Sequence, residues 1–313
     1  MGQVAGGREQ VLLATCYLLL ATCLLLKDYY MTKPSFIFGT VGTPLSTPKN
    51  PGGTVGGIRQ MRALGLGALE LAWVQSVRVS EGKCAEIKAT GKEHGIALSV
   101  HAPYFINLNA TKDEWPKSRK RLMDAAHYGH LAGATDIIFH PGSYFGRDPK
   151  EVLQVAVPRL RDCVKELRGA GNPATLRPET LGKSAMLGSL EDTLVMAEEI
   201  EGVRPCIDFA HLHARPGDGS ANSYAEWMAM LKLVKKRLGA GALKQLHIHL
   251  SGIAYGPKGE KNHLPLADAD LKYKDLFKAL RDMKCGGRVL GESPIMEGDA
   301  LVMQKTWSKL QGS

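Results

Sequence analysis

Between residues 35 and 310 the chain alternates a short apolar run with a longer helix-like stretch, eight times over. The runs are SFIFGT (35–40), GALELAW (67–73), IALSVHAP (96–103), DIIFHPG (136–142), ATLRPET (174–180), RPCIDFAH (204–211), KQLHIHLSG (244–252) and RVLGESP (288–294). Apolar cores this short suit strands buried on both faces, as in parallel sheets. Helices are predicted near 54–65, 80–94, 112–133, 149–170, 189–200, 222–239, 270–284 and 299–310, with a long loop after the seventh strand. Regular strand–helix alternation points to βαβ crossovers. Eight such units close a barrel, whereas an open doubly wound sheet usually has about five to seven strands. The expected fold is therefore α/β, a (β/α)8 TIM barrel, built as one domain over residues 35–313. No GxGxxG follows a strand and opens a helix, so a nucleotide cofactor is not expected.

In such barrels the chemistry sits at the C-terminal ends of the strands. Reading those ends in turn gives Glu70, His101, His140, Glu179, Asp208 with His211 three residues on, His247 and His249, His263 in the following loop, and Glu292. A single histidine or glutamate at a strand end is ordinarily a hydrogen-bonded core or capping residue. Here independent strands all deliver imidazole or carboxylate to one rim. Burying so many acids together without cations is very costly, and imidazole with carboxylate is the donor set of zinc or manganese. The set exceeds one tetrahedral ion. Two ions about 3.5–4 Å apart, bridged by a carboxylate, are the usual arrangement in phosphate-ester hydrolysis.

The net charge of +9 suits a polyanionic partner. All of the excess lies beyond residue 30, because Arg8 and Lys27 cancel Glu9 and Asp28. The six cysteines show no CxxC pairing, which argues against a disulfide framework and fits a reducing cytoplasm. Residues 1–34 form a separate apolar extension. Its run from Val11 to Leu26 is short for a membrane span and lacks the basic lead of a signal peptide. A translation start at Met31 fits better, so no membrane partner is expected unless the extension is real. A barrel starting at Ser35 is expected to fold without the extension, as a monomer.

At the rim residues the chain resembles the endonuclease IV family of apurinic/apyrimidinic (AP) endonucleases, within the xylose isomerase-like superfamily. The likeness runs from about Phe38 to Trp307 and rests on an ordered set of segments: HAPYFINL (101–108), FHPGSY (139–144), PET (178–180), CIDFAH (206–211), HIHLSG (247–252) and GESP (291–294). It implies a metal-dependent hydrolase that cleaves DNA 5′ to abasic sites. It implies that His101, His140 and Glu179 hold one zinc ion, and that Glu179, Asp208, His249 and Glu292 hold a second. His211 and His263 belong to a third, and Glu179 and Glu292 also position the nucleophilic water. Manganese is the alternative metal. The family's third-ion motif is Asp-x-His, but in GEKNHLPL (259–266) Lys261 stands where the Asp belongs. Two ions are therefore expected, with Lys261 contacting substrate phosphate in place of a third. Glu260 would substitute only if the loop shifted.

The likeness further implies that Tyr104, Phe105 and Arg78 face DNA, the aromatics near the abasic gap, with nucleotide flipping eased where a base is missing. Arg147, Lys183, Arg215 and Lys258 are further candidates for phosphate contacts. Two other readings stand beside this one. A sugar isomerase or epimerase uses the same barrel with one or two ions, and a worn barrel can serve as a binding protein.

Overall fold

The computed structural model describes residues 36–312, so the expectations for residues 1–34 lie outside the described residues. Eight parallel strands form the sheet: β1 (Phe36–Val41), β2 (Ala68–Ala72), β3 (Ala97–His101), β4 (Asp136–Phe139), β5 (Thr175–Pro178), β6 (Cys206–Asp208), β7 (Leu246–Leu250) and β10 (Gly287–Gly291). Their order is β5-β4-β3-β2-β1-β10-β7-β6. Single parallel bridges at Leu176–Val203 and Glu179–Cys206 link β5 to the β6 side. The result is a nearly closed TIM barrel.

The crossovers are α1 (Gly53–Ala63), α2 (Glu81–His94), α3 (Trp115–Leu131), α4 (Pro149–Gly169), α5 (Leu190–Glu199), α7 (Tyr224–Leu238), α8 (Tyr273–Asp282) and α9 (Glu297–Gln311). Their starts follow local capping chemistry. Ser80, Asp148, Ser189 and Ser223 each accept a backbone N–H of the following first turn. The helices bury their apolar faces against the sheet. Trp307 of α9, for example, lies edge-on to Phe36 of β1 with ring centroids 5.0 Å apart. Among the described residues no helix is long and apolar enough to cross a membrane.

Two segments differ from the sequence expectation. The sixth run does not stay extended to residue 211. The strand ends at Asp208, whose Oδ1 caps the backbone N–H of His211 at 2.7 Å and starts the short helix α6 (Phe209–Ala214). The long loop after β7 is a hairpin, β8 (Gly252–Gly256) and β9 (Gly259–Leu264), paired antiparallel. Both changes reshape the rim.

At the opposite mouth a buried ion cluster ties the barrel shut. Arg177 on β5 and Arg288 on β10 both bind the Asp136 carboxylate at the start of β4. The remaining nitrogens of Arg177 donate to the carbonyls of Pro205 (2.9 Å) and Gln245 (3.2 Å), next to β6 and β7. Burial alone would raise the Asp136 pKa. The two guanidiniums outweigh it and hold the group far below the ordinary aspartate range. A depressed carboxyl stabilises the fold fully above its unfolded pKa near 4, and that contribution fades as pH falls below it. Asp136→Asn leaves the buried Arg177 and the partly buried Arg288 without their counter-charge. It is expected to cost about 3–5 kcal/mol in urea unfolding at neutral pH, with the gap to wild type narrowing below about pH 4.

Candidate metal centre

Strand ends and the first residues after them carry the cluster. His101 ends β3, His140 follows β4, Glu179 follows β5, Asp208 ends β6, His249 lies on β7 and Glu292 follows β10. Their donor atoms converge on one region at this end of the barrel. The loops that frame it are tightly fixed. Gly142 of the HPG segment has φ +122°, and a Cβ there would lie 2.1 Å from Asn107 Oδ1 of the neighbouring rim loop. Only glycine allows that approach.

Glu179 is the hub. Its Oε2 lies 3.2 Å from His101 Nε2 and 3.3 Å from His140 Nε2. Its Oε1 lies 3.2 Å from His249 Nδ1 and 3.4 Å from His211 Nδ1. Glu292 Oε1 faces the same His249 nitrogen at 3.3 Å, and its Oε2 reaches His263 Nε2 at 3.5 Å. Donor atoms of His101, Glu179, His249 and Glu292 lie within 4.8 Å of one another, as do those of Glu179, Asp208, His211 and Glu292, and those of His211, His263 and Glu292. The groups overlap through Glu179 and Glu292, as a multinuclear centre requires.

Two features test whether the residues suit metal ions. Asp208 Oδ2 is buried and has no hydrogen-bond partner, although its other oxygen caps α6. An orphaned carboxylate oxygen inside a protein needs a cation or a donor. Two of the imidazoles are also held through Nδ1 by backbone carbonyls. His101 Nδ1 donates to the Ala102 carbonyl at 3.0 Å, and His211 Nδ1 donates to the Thr180 carbonyl at 2.9 Å. A carbonyl oxygen only accepts, so the proton sits on Nδ1 and the Nε2 lone pair is free for a metal. The residues fit divalent ions.

The field of the cluster has the matching sign. Burial raises the Glu179 pKa, but His249, His101, His140 and His211 overcome it and hold the group well below the usual carboxylate range. Burial likewise lowers the His101 pKa, and Glu179 outweighs it, raising the imidazole to about 9. Asp208 and Glu179 overcome burial at His211 and raise it too. Protons and divalent ions compete for the same negative potential, so metal uptake releases protons.

The third group departs from the sequence expectation. The β8–β9 register pairs Ala254 with Asn262 but Tyr255 with Glu260, so Lys261 is the extra residue of a β-bulge. The bulge turns Lys261 out, exposed alongside Gly256, and Glu260 in. Glu260 Oε2 stands 3.6 Å from His211 Nε2. The His211 and His263 ring centroids are 5.2 Å apart, and His263 Nδ1 is held by Ser251 Oγ at 2.6 Å. Glu260, rather than Lys261, is the residue that faces His211, and Glu292 is the carboxylate within reach of both His211 and His263. Glu260 N–H donates to the Gly182 carbonyl at 2.8 Å, and a Cβ at Gly182 would lie 2.7 Å from Glu260 Cβ.

Tyr104 is half exposed, with its ring 5.0 Å from His140 and 5.4 Å from His101. Phe105 is exposed beside it, with Arg121 5.9 Å from its ring centroid. Phe145, which sequence reasoning passed over, is 66% exposed and held at φ +52° directly after the FHPGSY segment. Together they form an apolar shelf along the rim. Arg78 is exposed in the β2–α2 loop. Arg147 and Lys183 are exposed, whereas Arg215 is occupied by the carbonyls of Leu181, Lys183 and Met186 and is not free for phosphate.

Residues 58–306 match the model of the xylose isomerase-like TIM barrel. An uncharacterized protein of Methanocaldococcus jannaschii is 36% identical over 275 residues, 88% of this chain and 97% of that one. Endonuclease 4 of Thermus thermophilus is 29% identical over 170 residues, 52% of this chain and 60% of its own length. The solved endonuclease IV from that species superimposes with a TM-score of 0.62 at 21% identity, covering 88% of this chain and all of that one. A D-tagatose 3-epimerase-like protein superimposes as well, with a TM-score of 0.65 at 14% identity, covering 87% and 96%.

The bulge makes a specific prediction for metal load. In full-length protein saturated with zinc and washed, Glu260→Gln is expected to lower bound metal by about one equivalent, and Gly182→Ala to act in the same direction, while Lys261→Ala leaves the count unchanged. Elemental analysis by mass spectrometry measures it. A loss on Lys261→Ala with none on Glu260→Gln would reverse the assignment.

Proposed function

The chain belongs to the xylose isomerase-like TIM-barrel family, and on that premise we propose that it is a metal-dependent phosphodiester hydrolase that cleaves DNA 5′ to abasic sites. The observation that carries this reading is the extent of the ligand set. Donor groups overlap around Glu179 and Glu292, Glu292 joins His211 and His263, and Glu260 adds a carboxylate beside His211. A sugar isomerase needs only one or two ions. A lysine facing that pair would have favoured sugar chemistry, and the inward turn of Glu260 removes that objection. The sequence identity to endonuclease 4 of Thermus thermophilus supports the same reading.

In this reading His101, His140 and Glu179 hold one ion, and Glu179, Asp208, His249 and Glu292 hold another. His211, His263 and Glu260 hold a third. Zinc is the first choice for this donor set, with manganese as the alternative. Bound ions would supply Lewis acidity at the phosphoryl group and a nucleophile at neutral pH. The chain's own groups do the rest. Glu292 lies between His249 and His263, partly open to solvent, where it can accept a proton from water. Burial, with the charges of Glu292 and Glu179, raises the Tyr104 phenol to about 12 in the metal-free site, and its hydroxyl can donate to a phosphate oxygen. Phe105 and Phe145 offer ring faces to bases next to the lesion. Such stacking contributes roughly 1–3 kcal/mol per base and tolerates any sequence. The net charge of +9 favours the polyanion.

The second reading, a ketose epimerase, is favoured by the fold likeness to the D-tagatose 3-epimerase-like protein. One experiment separates them. Metal-loaded protein is given duplex DNA with a single abasic site and, separately, a panel of ketoses. Incision 5′ to the site is expected, abolished by chelation and restored by zinc or manganese. Glu179→Gln is expected to reduce it by more than tenfold, about 1.4 kcal/mol of barrier. Epimerisation of a ketose with no incision at full metal load would overturn the proposal.

A further inference from the structure

Below the rim lies a second polar layer that the ligand set does not use. Glu70 sits on β2, opposite Ser99 of β3 in the ladder, and is fully buried. Its Oε2 accepts from Ser99 Oγ at 2.7 Å and faces His247 Nε2 at 3.0 Å. Its Oε1 lies 3.1 Å from His249 Nε2. Those last two atoms are not aligned as a hydrogen bond, and neither has any other partner. His247 and His249, two apart on β7, present their rings to the same interior. His247 Nδ1 is likewise buried without a hydrogen-bond partner, and the ring meets Glu70 through Nε2.

His249 therefore spans two layers. Its Nδ1 faces Glu179 and Glu292 in the rim, and its Nε2 faces Glu70 beneath. Cys206 also lies against this ring. A thiol is a weak donor and a weak acceptor, so the carboxylate is the stronger partner for an imidazole N–H. A neutral imidazole that donates a hydrogen bond from Nε2–H to a carboxylate keeps a lone pair on Nδ1, the nitrogen turned to the rim.

We propose that Glu70 is a positioning residue. It fixes the Nε2–H tautomer of His249 and aims Nδ1 at the metal centre, and is itself held by Ser99 and His247. Histidine ligands commonly donate their second N–H to such a partner, and losing it typically costs about 10–100-fold in metal affinity. The inference rests on the reading that the rim binds divalent ions. It goes beyond that reading in giving a role to residues that touch no ion.

The test uses full-length protein stripped of metal. Zinc affinity is measured by competition with a chromophoric chelator for wild type, Glu70→Gln, Glu70→Asp and Ser99→Ala. Histidine side-chain nitrogen shifts are recorded on the same samples after saturation with zinc. Wild type is expected to show His249 protonated on Nε2. Glu70→Gln is expected to weaken one zinc equivalent by roughly 10–100-fold while the equivalent held by His101 and His140 is unchanged, and Glu70→Asp is expected to recover part of the loss. If Glu70→Gln does not fold, Ser99→Ala decides, with a smaller loss at the same equivalent. Wild type that binds zinc, with every variant that folds binding it equally well, overturns the inference alone. So does a wild-type His249 protonated on Nδ1. Wild type that binds no zinc overturns the metal reading itself.

Discussion

The rim is organised around one buried carboxylate. Glu179 stands among four imidazoles, with Asp208 and Glu292 close by. Acids at this density inside a protein must be balanced by positive charge. Without metal, Glu179 and the neighbouring acids raise His101 and His211 above the ordinary imidazole range, so protons on these two rings supply part of that charge. Divalent ions meet the same need with more charge and use the lone pairs that tautomer choice leaves free. The backbone at Glu179 also pairs with Cys206 across the β5–β6 seam, so the hub residue stands where the barrel closes. Thr180 reinforces the seam, accepting Asp208 N–H at 2.9 Å and donating to the Asp208 carbonyl at 3.1 Å.

The barrel is polar along its axis rather than filled only by aliphatic layers. Asp136 with Arg177 and Arg288 seals one mouth, Glu70 with His247 and Ser99 occupies the middle, and the ligand set forms the other mouth. Each layer contains both an acid and a base, and the strand register sets which ones meet. Ser99 and Glu70 are ladder partners, as are Cys206 and His247, and Asp208 and His249. A one-residue slip in any strand would turn its polar set out of the barrel, so the same register that closes the sheet also composes the site.

Much of this was legible in the chain. The eight apolar runs became the eight barrel strands, because strands buried on both faces leave a dense apolar trace and crossover helices leave an amphipathic one. The rim residues stood out because they share one position, the strand end. Three details did not show. The CIDFAH segment reads as continuous strand, and only the capping geometry of Asp208 makes it helical from Phe209. The hairpin hid behind a loop-like composition, GPKG, which is also what a tight turn requires. Within it, counting residues put Lys261 at the ligand position, but a bulge shifts the count by one and brings in Glu260. A bulge depends on backbone contacts with a distant segment, here Gly182, and leaves no periodicity to read.

The central claim is that Glu179 joins neighbouring ions and that Glu260 completes a further site. Anomalous scattering at the zinc edge, from crystals of the full-length protein grown with zinc, tests it most directly. The account predicts two peaks flanking the Glu179 carboxylate at ligand distance, about 2.0–2.2 Å, and a third between His211 and His263 in contact with Glu260. Crystals with no peak at Glu179, or with a single ion coordinated by neither His211 nor His263, would contradict it.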